Sequence, residues 1–223
     1  MLLLKGATMR TAILYALATI LLLSCGCRST YYNTMEKLGY HKRDMLVDRV
    51  QNARDSQQEA KEQFQSALEE FSAVVNFQGG QLETTYKKLK TELERSESKA
   101  KTVRNRIQDV ERVAAALFKE WEAELEQYSN DQLRDLSEQK LGRTRQRYAR
   151  MIAAMQSAEM KIGPVLSAFA DQVLFLKHNL NAQALASLQN ELVAVETDIA
   201  GLIEEMETSI AEANAFIEAM GQS

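Results

Sequence analysis

Residues 82–128 read LETTYKKLKTELERSESKAKTVRNRIQDVERVAAALFKEWEAELEQY, and this stretch decides the fold. Mostly apolar residues recur along it at alternating steps of four and three, which is the heptad spacing of a helix that packs along one seam. The seam positions are Leu82, Tyr86, Leu89, Leu93, Ser96, Ala100, Val103, Ile107, Val110, Ala114, Leu117, Trp121, Glu124 and Tyr128. Only Ser96 and Glu124 interrupt it. The spacing predicts one long helix over residues 81–128.

The stretch before it predicts a helix of similar length over residues 34–77. Apolar or small residues recur there at steps of three, four or seven, and Gln57 interrupts the stripe. Gly79 and Gly80 follow, and paired glycines are typical of a break that ends a helix.

The stretch after it predicts two more helices, over residues 131–178 and 182–220. Ser129-Asn130-Asp131 breaks the preceding pattern and supplies N-cap residues. Gly163-Pro164 lies inside the third pattern, but the apolar spacing continues in phase across it. We therefore expect a kink at residues 163–164 and one continuous helix.

The four segments are similar in length, and one Pro and nine Gly in 223 residues favour long helices. At about 1.5 Å per residue each helix would span roughly 60–70 Å. Short turns between helices of equal length predict an all-α fold, an elongated antiparallel up-down four-helix bundle or long coiled coil. The heptad period predicts a left-handed supercoil. A homo-oligomer of open hairpins, about twice as long, is a competing architecture.

Charge predicts which helices are neighbours. After residue 178 the chain has eight acidic residues and no Lys or Arg, whereas the third helix carries the basic cluster LGRTRQRYAR over residues 141–150. We expect interhelical pairing of Arg147 with Glu212 and of Arg143 with Glu218, each exposed pair adding less than about 1 kcal/mol. The alternative, that the cluster binds anionic lipid or nucleic acid, is weaker because its acidic complement is in the same chain.

The N-terminus has the pattern of an export signal. Lys5 and Arg10 precede Thr11–Leu23, an uncharged and mostly apolar run that is short for a membrane span. Translation begins at either Met1 or Met9, and the sequence does not distinguish them.

Leu22-Leu23-Ser24-Cys25 resembles the lipobox of bacterial lipoproteins. The resemblance implies cleavage before Cys25 and lipidation of its thiol, with Cys27 as a second candidate. An uncleaved anchor and a plain secretory signal are the alternatives. Neither Gly26 nor Arg28 is the aspartate that resembles an inner-membrane retention signal, so we expect an outer membrane lipoprotein that faces the periplasm, in preference to the inner membrane.

The predicted organisation is therefore a signal peptide over residues 1–24, a lipidated linker over residues 25–33 and a helical bundle over residues 34–221. Nothing in the sequence predicts an enzyme, a cofactor or a metal site. His41 and His178 are the only histidines, they lie far apart, and no glycine-rich phosphate loop or nucleophile motif is present. Trp121, the seam tyrosines and four methionines are interpreted as core, the methionines being Met151, Met155, Met160 and Met206.

A lipid at Cys25 would leave the opposite end of the bundle free. The turns near residues 74–80 and 175–181 meet at that end and carry Val75, Phe77, Phe175 and Leu176. We expect this tip to bind another envelope protein, the alternative being that these side chains only cover each other. We expect no nucleic-acid partner.

Residues 31–71, YYNTMEKLGYHKRDMLVDRVQNARDSQQEAKEQFQSALEEF, resemble the opening of a Gram-negative bacterial family catalogued as a domain of unknown function (2959). The resemblance implies a helical envelope protein and brings no catalytic residue with it. Two functions remain open. The first is a structural or adaptor lipoprotein, and the alternative is a membrane-active bundle similar to helical pore-forming proteins. The second usually needs a long apolar hairpin, and no uncharged stretch of about 18 residues follows residue 34.

The lipobox predicts different outcomes for the two cysteines. Cys25→Ser is expected to abolish lipidation and to release the protein from the membrane fraction, because no other residue at that position can form the thioether. Cys27→Ser is the matched control and is expected to leave lipidation intact. Mass spectrometry of the mature N-terminus measures both, and lipid retained on the Cys25→Ser protein would contradict the assignment.

Overall fold

The computed structural model describes residues 41–75, 82–179 and 181–222. Leu46–Ser223 form one compact unit, and a second unit spans Met1–Met45. The account below concerns the first of these units.

Four long helices make up the described chain, and these residues contain no β-strand. They are α1 (Lys42–Val75), α2 (Leu82–Leu125), α3 (Asp131–His178) and α4 (Ala182–Gly221). The prediction of an all-α four-helix bundle is confirmed. No helix in the described part of the chain is both long and apolar enough to cross a membrane.

Contacts between side chains show that α1 is antiparallel to its two neighbours. Towards α2, Lys99 pairs with Glu59 at 2.7 Å and Lys88 with Glu70 at 3.4 Å, so the partner number falls in α2 as it rises in α1. Towards α4, Lys61 pairs with Glu207 at 3.3 Å and Arg54 Nη1 donates to Asn214 Oδ1 at 3.0 Å, so the partner number again falls as the number in α1 rises.

The remaining neighbours are antiparallel as well. Between α2 and α3, Arg104 pairs with Glu159 at 2.7 Å, and Glu122 pairs with Arg145 at 2.6 Å. Between α3 and α4, Ser157 Oγ donates to Glu205 Oε2 at 2.8 Å and Lys161 Nζ donates to Gly201 O at 3.5 Å, so these helices are antiparallel too. The order around the bundle is therefore α1, α2, α3, α4, which is the predicted up-down topology.

This topology defines two ends. The turn between α2 and α3, the beginning of α1 and the end of α4 lie at one end, here called the α2–α3 end. The turn between α3 and α4, the end of α1 and the beginning of α2 lie at the other, here called the α3–α4 end.

The apolar seam forms the core, and most predicted seam residues are buried. In α1 these are Leu46, Val50, Ala53, Ala60, Phe64, Ala67, Phe71 and Val74. Across the bundle, Phe71 packs edge-on against Phe169 of α3, with ring centroids 6.1 Å apart. Burial of such apolar stripes, more than intrinsic helix propensity, is what stabilises helices of this kind.

The strict heptad is wrong by one residue at several positions near the helix ends. Alternating steps of four and three predict Gln172 of α3 and Ile210 and Ile217 of α4 as core residues, but Val173, Ser209 and Phe216 are buried in their place. Residues seven apart that flank each exchange stay buried, such as Phe169 with Leu176 and Met206 with Ala213, so the repeat is kept and only the intermediate core residue differs.

Three expected core residues are also placed differently. Trp121 is only half-buried, and its Nε1 donates a hydrogen bond to Ser137 Oγ at 2.8 Å. Tyr128 lies beyond the end of α2, which stops at Leu125, and is exposed. Met160 is 68% exposed because it lies off the seam of α3.

Pro164 does not end α3, which continues as one helix to His178, as predicted. The ring is exposed, whereas Ile162 and Val165 on either side of it are buried. Pro164 has no N–H to donate to the backbone carbonyl one turn earlier in α3. Because Pro164 is on the solvent side, water can donate to that carbonyl instead.

A polar pair interrupts the core between α1 and α4. Ser209 Oγ donates a hydrogen bond to Gln57 Oε1 at 2.7 Å, and both side chains are fully buried. Gln57 Nε2 has no hydrogen-bond partner. Because a buried polar atom without a partner costs about 1–3 kcal/mol, the bond to Ser209 offsets only part of the cost of burying the amide.

We predict that Ser209→Ala lowers the free energy of unfolding by about 1–3 kcal/mol, because it leaves the Gln57 carbonyl oxygen buried without a donor. In a Gln57→Leu background, Ser209→Ala is expected to lower the free energy of unfolding by a smaller amount. Urea unfolding of the four proteins of this double-mutant cycle, followed by far-UV circular dichroism, measures the coupling.

Ser96→Ala is the matched control, since Ser96 is a buried serine whose hydroxyl donates within its own helix, to Glu92 O at 2.8 Å. Its expected cost is smaller than that of Ser209→Ala. Equal costs for the two substitutions, or no coupling between residues 57 and 209, would contradict the prediction.

An aromatic cluster joins three helices near the α2–α3 end. Tyr148 of α3 contacts Phe118 of α2 and Phe216 of α4 edge-on, with ring centroids 5.4 Å and 6.5 Å apart. Burial, assisted by the nearby carboxylate of Glu111, raises the pKa of the Tyr148 hydroxyl to about 12. The neutral phenol is therefore the form that the fold favours.

The raised pKa predicts an alkaline loss of stability. The unfolded chain releases the Tyr148 proton near its ordinary pKa of 10.0 and the folded protein only near about 12, so this contribution is present below pH 10 and is lost between these two values. Tyr148→Phe is expected to reduce the slope of unfolding free energy against pH in that window.

Tyr128→Phe, which removes a hydroxyl from an exposed ring, is the control. Denaturant unfolding at several alkaline pH values measures both slopes. An unchanged slope in the Tyr148→Phe protein would show that the Tyr148 phenol is not linked to folding.

Candidate functional site

The structure separates the four residues predicted to form a binding tip. Phe175 is exposed, whereas Val75 and Leu176 are buried in the core, and Phe77 lies outside the described residues. Leu176 follows Phe169 by seven residues and therefore occupies the same face of α3. Two of the predicted tip residues thus close the core at the α3–α4 end instead of facing solvent.

A neighbouring residue that the sequence reasoning missed joins Phe175 on the surface. Leu174 is 54% exposed and Phe175 41%, on the last turns of α3. The signal was present in the sequence, since both residues lie between the buried positions Val173 and Leu176 and so cannot share their face. Among the residues that the structure describes at this end, Leu174 and Phe175 are the large apolar residues that are exposed, and they are here called the Leu174–Phe175 pair.

The turn behind the Leu174–Phe175 pair is held by two asparagines. Asn179 Nδ2 donates to Phe175 O at 3.0 Å, and the Asn179 N–H donates to Leu176 O at 3.2 Å. Asn181 caps α4 by accepting from the Ala184 N–H at 2.9 Å. These bonds satisfy backbone groups at both helix ends and hold the end of α3 in place.

A second exposed apolar surface lies at the α2–α3 end. Tyr128, Leu133 and Leu136 are 41%, 52% and 53% exposed, and they are here called the hairpin surface. Asn130 caps α3 by accepting from the Leu133 N–H at 3.1 Å. Leu133 and Leu136 are three residues apart and therefore lie on the same side of α3.

The predicted pairing of α3 arginines with α4 glutamates does not appear among the contacts of the described residues. Arg143, Arg147, Glu212 and Glu218 form no ion pair within residues 41–75, 82–179 and 181–222. The basic cluster instead contacts α2 through one arginine, Arg145. Exposed ion pairs contribute little free energy, so helix register is set by the apolar seam and not by these charges.

Arg145 lies between α2 and α3. Its Nη1 donates to Glu122 Oε1 at 2.6 Å, and its guanidinium lies 5.2 Å from the centre of the Phe118 ring. The hydrogen bond from Arg145 lowers the pKa of the Glu122 carboxyl. Arg145 is therefore engaged within the bundle, unlike its neighbours in the cluster.

Charge pairing between α3 and α4 occurs nearer the middle of the helices. Lys161 Nζ lies 3.0 Å from Glu205 Oε1, and Ser157 Oγ donates to Glu205 Oε2 at 2.8 Å. The hydrogen bonds from Lys161 and then Ser157 lower the pKa of the Glu205 carboxyl. The expectation that an acidic α4 lies beside a basic α3 is met here, by residues other than those predicted.

The residues expected to carry lipid, Cys25 and Cys27, lie outside the described residues. Within the described ranges, no group of three or more His, Asp or Glu side chains is placed to hold a metal ion.

Comparisons with known proteins agree with the extent of the bundle. A family model described as "Protein of unknown function (DUF2959)" matches residues 31–220. No curated protein matches the chain, and no solved structure matches it.

Proposed function

The chain belongs to the family of proteins of unknown function DUF2959, and we propose that it is a bacterial envelope lipoprotein whose helical bundle acts as a structural or adaptor element. Lipid on Cys25 tethers it to the membrane, and its α3–α4 end binds a protein partner. The exposed Leu174–Phe175 pair carries this proposal.

Covalent connectivity supports the assignment of a tethered and a free end. The 21 residues from Cys25 to Leu46 can span at most about 70–75 Å, and only when fully extended. Leu46 begins the compact unit at the α2–α3 end. From there α1 rises by about 44 Å to Val75 at about 1.5 Å per residue, so the α3–α4 end lies about that far from the point where the tether joins the compact unit.

The chemistry of the Leu174–Phe175 pair supports a protein partner. Energetically important residues of protein interfaces are often aromatic, and they bind by losing water when a partner pocket encloses them. Phe175 is close to the capped turn at Asn179, so little conformational freedom is lost when it binds. Neither Leu174 nor Phe175 is required to seal the core, which Leu176 already closes.

The proposed location is the periplasmic face of the outer membrane, because Gly26 and Arg28 stand where an inner-membrane retention signal has aspartate. The proposal includes no enzymatic activity, no cofactor and no nucleic-acid partner. The proposal of no enzymatic activity is supported by the exposed positions of most carboxylates along the helices, where solvent surrounds them.

Site-specific photocrosslinking in cells tests the proposed partner. A photoreactive amino acid at Phe175, or at Leu174, is expected to give an adduct of defined size with another envelope protein. The same amino acid at Met160 is the matched control, because Met160 is exposed on the same helix but lies away from both ends. Denaturing electrophoresis and mass spectrometry identify the adducts.

Equal labelling from residues 160 and 175 would contradict a specific contact at the α3–α4 end. An adduct between two copies of this chain would replace the adaptor function with self-association. Loss of the residue-175 adduct in the Cys25→Ser protein is expected as well, because the untethered bundle leaves the partner's membrane.

A further inference from the structure

We propose that the face between α3 and α4 is the contact surface of a two-fold symmetric dimer, in which a second copy of the chain lies antiparallel against the first. The symmetry axis passes near Ser157, close to the middle of α3. The inference goes beyond the proposed function and does not depend on lipid at Cys25. The residues that carry it all lie within the compact unit Leu46–Ser223.

One edge of this face is a column of residues seven apart on α3, here called the α3 column. Its members share one side of the helix, because seven residues make two turns of a coiled coil. Ser157 Oγ donates to Glu205 Oε2 of α4 at 2.8 Å, so the column faces towards α4. The column is basic before Ser157 and acidic at its other end, and it consists of Arg143, Arg150, Ser157, Pro164 and Asp171.

The other edge of the face is a column on α4 that is acidic throughout, here called the α4 column. It consists of Glu191, Asp198, Glu205 and Glu212. Glu205 accepts the bond from Ser157 and lies 3.0 Å from Lys161 Nζ, so this column faces towards α3. The ion pair with Lys161 also neutralises the carboxylate in the middle of the face.

The antiparallel course of α3 and α4 brings carboxylates of the two columns together. Seven-residue steps from the Ser157–Glu205 bond place Glu191 at the level of Asp171, with Asp198 one step nearer the middle. These three side chains are exposed and form no ion pair within the part of the chain that the structure describes. The half of the face nearer the α3–α4 end is therefore acidic, and it is here called the acidic half.

The half of the face nearer the α2–α3 end, here called the basic half, carries three arginines. Arg143 and Arg150 of the α3 column and Arg147 between them are exposed, and none of them has an ion pair among the described residues. Glu212 lies at the level of Arg150, but the two do not pair. The arginines outnumber the carboxylates of the two columns in this half, so it keeps a positive charge.

Two-fold symmetry matches the basic half of one copy with the acidic half of the other. An axis perpendicular to the helices at Ser157 brings Arg143 to the level of Asp171 of the second copy, because each is 14 residues from Ser157. The same axis brings Arg150 to the level of Asp198. In a parallel dimer the acidic halves would face each other, so the charges favour the antiparallel arrangement.

The face is large enough for a specific dimer. From Arg143 to Asp171 it is about 42 Å long at about 1.5 Å per residue, and it is two helices wide, which gives about 800 Å² on each copy. This is the area of a standard protein–protein interface. Met160, which is 68% exposed and three residues from Ser157, supplies apolar surface near the axis. Because exposed ion pairs contribute little free energy, the charges chiefly set the orientation of the two copies.

Charge reversal in the full-length chain tests this pairing. Arg143→Glu with Arg150→Glu makes both halves acidic, and Asp171→Arg with Asp198→Arg makes both halves basic. Two copies with different affinity tags are co-expressed, solubilised in excess non-ionic detergent and purified through one tag. Wild-type copies are expected to co-purify. Recovery of the second copy is expected to fall by about tenfold or more when both copies carry the same reversal.

A mixed pair carries one copy of each reversed variant and provides the rescue. Its charges are complementary again, so co-purification is expected to return towards the wild-type level. Lys101→Glu with Lys119→Glu is the matched control, because it reverses two exposed positive charges on α2 that have no ion pair among the described residues. This control is expected to leave recovery unchanged, and circular dichroism verifies that each variant is folded.

Distances between spin labels test the orientation. With Cys27→Ser present, the full-length chain is labelled at Met160→Cys or at Leu174→Cys. Along the bundle, the antiparallel dimer separates the two labels at residue 160 by about 9 Å and those at residue 174 by about 51 Å, at about 1.5 Å per residue. A parallel dimer would give short distances at both positions.

Wild-type copies that do not co-purify, or reversed copies that co-purify as well as wild type, would overturn the inference. A mixed pair without recovery, or short distances at both residues 160 and 174, would also overturn it. Failure of the proposed function gives different results, namely no lipid on Cys25 and no adduct of residue 175 with another envelope protein. A photocrosslink from residue 160 to a second copy has the mass of two chains and is therefore distinct from that adduct.

Discussion

Burial of one apolar stripe on each of four helices is the constraint on which the rest of the structure depends. A solitary helix of this composition gains little from propensity, and its charged faces add less than about 1 kcal/mol per exposed pair. Residues such as Phe64, Phe71, Leu89 and Met155 are buried only because three other helices supply the remaining sides of the core. Chain order, turn positions and helix length all follow from the need to bring these stripes together.

The sequence predicts the core well because the heptad period is a property of the chain alone. It fails where the outcome depends on which of two neighbouring residues faces the core or on where a helix ends. Val173 is buried in place of Gln172, and the exposure of Tyr128 depends on α2 ending at Leu125. The ion-pair partners of charged side chains are harder to predict than the core, because a long arginine side chain can reach several carboxylates. Arg145 binds Glu122 on α2, although sequence reasoning directed the cluster towards α4.

The candidate sites were partly predictable for the same reason. Phe175 is exposed at the predicted end, whereas Leu176 follows the heptad step of α3 into the core and is therefore not available at the surface. The hairpin surface was missed because Leu133 and Leu136 precede the region where the pattern of α3 is clear. The two exposed apolar surfaces lie at opposite ends of an antiparallel bundle.

The buried bond between Gln57 and Ser209 also limits the ways in which α1 can lie against α4. Apolar seams tolerate sliding by one heptad, because one aliphatic residue replaces another at each level. A slip of seven residues would place the Gln57 amide against Leu202 or Phe216, both of which are buried and neither of which can accept or donate a hydrogen bond. The amide therefore keeps its partner in the observed alignment and loses it in a slip of seven residues in either direction, which favours the observed pairing of the two helices.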